Sequence, residues 1–165
     1  MKKLISLLLV TALTLSISVP CFAQENSSDR HLEPSSSSVS VQNLGNGLTV
    51  ETKTTVWRDA LHLDSLSAVS QKNASWTKTY RNNGSVVATV TLNAAFGYNG
   101  FSAGVIRSSA SHSTASGWSY EGESLSNSGN TASLTAVLQQ WLGIIPVGTV
   151  NVDFSISCSP SGQII

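Results

Sequence analysis

The stretch "SVVATVTLNAAFGYNGFSAGVIRSSASH", Ser85 to His112, decides how this chain folds. Two alternating runs flank Asn99-Gly100, a dipeptide that favours the two-residue type I′ turn of a β-hairpin. In that register Tyr98 faces Phe101, Phe96 faces Ala103 and Ala94 faces Val105, so both apolar sets fall on one face. Arg107 then faces Leu92, a mismatch that calls for a bend in the strand or a snorkelling side chain.

Outward from this hairpin the same period of two repeats. Residues 48–57, 75–81, 85–98, 101–112, 118–125, 131–141 and 148–158 read as strands. Asn83-Gly84, Asn99-Gly100, Ser116-Gly117, Ser128-Gly129 and Pro146 punctuate them as turns. Seven short strands at regular spacing predict an all-β fold, an antiparallel β-sandwich of immunoglobulin-like size.

The N-terminus predicts export. Lys2 and Lys3 precede an apolar core from Leu4 to Val19, Pro20 breaks it, and Cys21 and Ala23 offer small residues for cleavage before Gln24. The apolar core is too short and too rich in Ser and Thr for a spanning helix. Lipidation at Cys21 is the weaker alternative, since Pro20 sits beside the bond that would be cut. The chain thus divides into a signal peptide (1–23), a flexible Ser-rich arm (24–46) and a sandwich domain (47–165). Loss of Lys2 and Lys3 leaves seven basic residues against nine acidic, a net charge of −2. That balance disfavours nucleic-acid binding. The remaining 142 residues suffice for one core without a disulfide or metal. Ser and Thr make up about a quarter of them, which suits strands more than helices.

The hairpin before the deciding one places the first candidate site. With a two-residue Asn83-Gly84 turn, Arg81 faces Val86, and Trp76, Lys78 and Tyr80 lie on the outer sheet face. There the two rings would form a platform for stacking on sugars, with Lys78 adding a polar contact. A three-residue loop with a bulge at Gly84 slips the register by one and turns all three inward. Burying an unpaired ammonium is costly, so the first register is preferred.

Other constellations carry less. Arg58, Asp59, His62 and Asp64 share one connection, but His-x-Asp alone is a weak metal signal, and a polar crossover loop explains it as well. Serines abound without a nucleophile-elbow motif. His31 falls in the arm and His112 at a strand end; Glu121 and Glu123 share a strand face, as an exposed strand would have it. Asn26, Asn73 and Asn83 each begin an Asn-x-Ser match, discounted behind a leader of bacterial type. No metal or cofactor is expected. "WLGIIPVG" (141–148) is unusually apolar for a connection, and is expected to fold over and cap the core rather than stand exposed. Loss of Cys21 leaves Cys158 the only thiol; it continues the row Val150, Val152, Phe154 and Ile156, so it is expected buried and inert.

"TKTYRNNGSVVATVTLNAAFGYNG", "GWSYEG" and "VNVDFSISCSPSGQI" together resemble a family of small secreted proteins of Gram-positive bacteria with no assigned function. The likeness spans roughly the last 120 residues, a domain-sized span. It rests on framework strands and implies export and an all-β fold, with no catalytic residue. The reading is a secreted, monomeric, non-catalytic module binding a glycan or protein at the cell surface. The runner-up is a toxin or antagonist whose Ser/Thr-alternating strands rearrange in membranes. A cell-wall hydrolase comes third, lacking a visible constellation.

Overall fold

Alternation in eight successive segments produces eight antiparallel strands in the computed structural model, which describes residues 34–58 and 69–165. They are β1 (Pro34–Gly45), β2 (Leu48–Arg58), β3 (Ser70–Asn82), β4 (Ser85–Tyr98), β5 (Ala103–Thr114), β6 (Trp118–Ser128), β7 (Thr131–Leu142) and β8 (Ile145–Ser157). Pairing follows chain order in two sheets, β1-β2-β3-β4-β5 and β6-β7-β8. The all-β expectation and the two-sheet architecture hold; the count rises from seven strands to eight.

The added strand is β1, which occupies residues expected to be a flexible arm. It pairs with β2 across a two-residue turn at Asn46-Gly47, where both residues have positive φ (51° and 76°). That is the type I′ geometry an Asn-Gly pair favours. Every residue of β1 is exposed, so its hold on the sheet is the backbone ladder and not core burial.

The core fills the space between the sheets. Val90, Leu92 and Phe96 of β4 meet Leu134 and Leu138 of β7 and Ile156 of β8 in one fully buried cluster. Cys158 extends it, as its place in the β8 alternation requires: Val152, Phe154 and Ile156 are buried while Asn151, Asp153 and Ser155 are exposed. Its thiol is buried and unpaired, and burial raises its pKa, with Lys72 opposing. At this end of the core the C-terminal turn packs on Tyr98. A Cβ at Gly162 would come within 2.4 Å of that ring, and its φ of +81° also asks for glycine.

Two hairpin registers differ from expectation, the first through a bulge and the second through a longer loop followed by a bulge. At Asn83-Gly84 the two-residue turn forms (φ 46° and 84°), and Arg81 does pair with Val86. Beyond it Val87 bulges, so Tyr80 pairs with Ala88, Lys78 with Val90 and Trp76 with Leu92. The bulge lets Val87 join Ala88 in the core, and the Val87 carbonyl accepts a hydrogen bond from Ala115 N at 2.8 Å. At Asn99-Gly100 the turn is not two residues but a four-residue loop, with Tyr98 opposite Ala103 and Phe101 almost fully exposed. The Asn99 side chain accepts from Phe101 N and Ser102 N, while Gly100 N donates to Pro160 O. With these groups engaged, the tight turn gives way to an Asn-capped loop. A second bulge at Ile106 then sets Arg107 opposite Ala95 rather than Leu92, which removes the mismatch.

Candidate functional site

The bulge at Val87 settles where the first candidate residues point. Trp76, Lys78 and Tyr80 face the second sheet, not solvent. Tyr80 is 2% exposed and burial pushes its pKa up to about 12; Trp76 is half-buried against the core. Its indole Nε1 is buried without a hydrogen-bond partner. The cost of turning Lys78 inward is offset locally. Its Nζ donates to the Asp153 carbonyl at 2.6 Å and lies 4.8 Å from the centroid of the Phe154 ring. Burial still lowers its pKa, against the raising influence of Asp153. An outer-face platform of these three residues is therefore ruled out by the register.

The outer face of the five-stranded sheet carries a different set. Pairing aligns Glu51, Thr79, Thr89 and Ser113 in one row, then Lys53, Thr77, Thr91 and Ser111, then Thr55, Ser75, Asn93 and Ser109. The last row is Trp57, Asn73, Ala95 and Arg107. Cross-strand hydroxyls meet directly, Thr77 Oγ1 lying 3.0 Å from Thr91 Oγ1. In the last row Asn73 and the small Ala95 separate the tryptophan from the arginine. The depression this leaves is a cleft of about 350 Å³, lined by Trp57, Asn73, Asn93, Ala95, Arg107 and Ser109. Arg107 is exposed there and has no ion-pair partner among the described residues. Among the described residues lining the cleft there is no carboxylate, histidine or thiol.

Sequence reasoning passed over this site, although one signal was present. In the tight-turn register Arg107 is only a misfit opposite Leu92. Placed opposite Ala95 by the Ile106 bulge, it becomes one wall of the cleft.

The remaining candidates do not converge. His112 stacks on Tyr120, ring centroids 3.9 Å apart, away from the cleft. Glu123 accepts the Tyr120 hydroxyl at 2.9 Å and Glu121 accepts the Ser119 hydroxyl at 2.7 Å. The Tyr120 pKa rises through burial and that bond to Glu123. A bulge between Glu121 and Ser124, with Gly122 at φ 63°, interrupts the alternation that was expected to put both glutamates on one face. Asp59, His62 and Asp64, like His31, lie outside the described residues, as does the side chain of Arg58. Among the described residues no three His, Cys, Asp or Glu side chains gather as a metal group. No helix among them is long and apolar enough to cross a membrane.

The 141–148 stretch is not a cap. It forms the β7–β8 hairpin tip, where Leu142 (71% exposed), Ile144 (91%), Ile145 (60%) and Val147 (51%) stand in solvent.

Comparison of the chain with family models, curated proteins and solved structures finds no match.

Proposed function

We propose that this is a secreted or cell-surface module that binds a glycan in the outer-face cleft between Trp57 and Arg107. The observation that carries the reading is the cleft's lining. A tryptophan offers an apolar face for the C–H side of a sugar ring, and its flat body loses little freedom on binding. Asn93 supplies an amide that both donates and accepts, matching vicinal hydroxyls, and Ser109 does the same on a smaller scale. Arg107 adds a planar fork of donors for a pair of sugar oxygens or a sugar carboxylate. A volume of about 350 Å³ suits a ligand at the small end of ordinary binding sites, about one or two sugar rings. The hydroxyl rows running on from the cleft would extend contact along a longer chain. With no acid–base pair in the lining, the site is read as one that holds its ligand and does not cleave it.

The test is calorimetric titration of the purified protein with cell-wall polysaccharide fragments, neutral and acidic. Arg107→Gln and Trp57→Ala should each weaken binding at least about tenfold, the loss of one good contact. Arg107→Gln should leave the urea midpoint unchanged, because that side chain is exposed. Binding that survives both substitutions rejects the cleft, and an absence of binding across the fragments rejects the glycan reading. Export is part of the same reading. Mass spectrometry of the culture medium should find a chain beginning at Gln24, whereas a lipid-modified Cys21 would replace the free secreted form by a tethered one.

A further inference from the structure

We propose that the β7–β8 hairpin tip inserts into the headgroup–acyl boundary of a lipid surface and holds the domain there. This does not depend on the glycan reading. The tip turns through Gly143-Ile144, with Leu142 paired to Ile145 below it and Val147 bulged between the Trp141–Pro146 and Gln140–Gly148 pairs. Leu142, Ile144, Ile145 and Val147 are all exposed within six residues, and residues 124–152 contain no charged side chain.

Shape and polarity point to lipid in preference to a protein groove. The apolar side chains project from a narrow hairpin end, and a fluid interface closes around such a shape without a preformed cavity. Lipid penalises unpaired backbone groups. Here the ladder pairs Leu142 with Ile145, and Pro146 has no N–H to leave unsatisfied. Polarity is also graded along the hairpin. The apolar end is followed by the half-buried Trp141, whose Nε1 donates to Ser119 Oγ at 2.8 Å. Next comes Gln139, whose Nε2 donates to Gly148 O at 2.7 Å. An apolar end, a single tryptophan and a polar base follow the order of environments across a membrane interface. Because the tip has no charge, its attachment should be indifferent to headgroup charge and to salt.

The experiment is co-sedimentation of the protein recovered from culture medium with vesicles of phosphatidylcholine alone, or mixed in equal parts with phosphatidylglycerol. The wild type should pellet with both, equally at low and high salt. Ile144→Asp should raise the lipid concentration for half-binding by at least about tenfold, since an aspartate is strongly disfavoured below the headgroups. Its melting temperature should match the wild type, the side chain being exposed. Val39→Asp, an exposed valine on β1, should bind as the wild type does. A wild type left in the supernatant, or an Ile144→Asp chain that pellets equally, overturns the proposal. So does binding that requires phosphatidylglycerol and vanishes in salt. Binding only to cell envelopes, and lost when they are treated with protease, would assign the tip to a protein. A lipid-free dimer that Ile144→Asp makes monomeric would assign it to a second copy. Either result overturns insertion.

Discussion

The two faces of the five-stranded sheet are built from the same strands and have opposite chemistries. On the inner face Ala74, Tyr80, Val90, Leu92 and Phe96 are buried against the second sheet. On the outer face the neighbouring positions are Asn73, Thr79, Thr91, Asn93 and Ala95, with Trp57 and Arg107 at one end. The difference separates two tasks. Inner-face packing supplies most of the stability, because apolar burial is the main favourable contribution to folding. The outer face is free to carry hydroxyls, amides and a guanidinium, which recognise ligands and add little to stability. A one-residue slip would exchange the two sets, so the Val87 bulge decides which face does which.

The hardest test of that division is Tyr80→Ala. With the ring 2% exposed, its loss should cost about 3–5 kcal/mol in urea unfolding, the range for deleting a buried aromatic. A cost under about 1 kcal/mol would return Tyr80 to the surface and break the comparison.

Alkaline pH probes the inner face less severely. Tyr80 and Cys158 have raised pKa values through burial, and Tyr120 through burial and its bond to Glu123. Each holds its proton in the fold after the unfolded chain has begun to release it, from 9.0 for the thiol and 10.0 for the tyrosines. Their contribution is full below those values and is lost as pH rises through each group's folded value, about 12 for Tyr80. Lys78 works the other way. Its pKa is lowered, so the unfolded chain holds the proton longer, and the cost of burying its charge is relieved only as pH rises to 10.5. Tyr80 carries a large shift from 10.0, so the urea midpoint should fall above about pH 10, and Tyr80→Phe should lessen the fall. A midpoint flat to pH 12 would mean that the phenols and the thiol meet water.

The smallest effect belongs to the outer face. Thr77→Ala removes a hydroxyl 3.0 Å from that of Thr91, a cross-strand pair worth about 0.2–1 kcal/mol. Unfolding should shift by no more than that. A larger loss would show that the outer rows hold the sheet together and are not free for recognition.

What could be read from residues alone followed from local alternation. Strand positions, the all-β class and the burial of Cys158 all rest on a period of two within one segment, and each strand carries that signal itself. Asn46-Gly47 with Val39 and Val41 alternating before it was the same kind of signal for β1, hidden by the serine-rich composition around it. The run Val86-Val87-Ala88 similarly broke the alternation where the bulge lies. The exposed β7–β8 tip was harder, because an apolar loop has the same composition whether it covers a core or projects from it.

Register, and with it the candidate site, was decided by tertiary structure. Val87 bulges where its carbonyl accepts from Ala115 N, and Gly100 is tied to Pro160 O rather than closing a tight turn. Both partners are remote in sequence, so no window along either hairpin contains the bond concerned. Alternation says which residues of a strand share a face. Which face meets the other sheet, and whether Arg107 comes to lie in one row with Ala95, Asn73 and Trp57, depends on hydrogen bonds and packing that form only once the sheets come together.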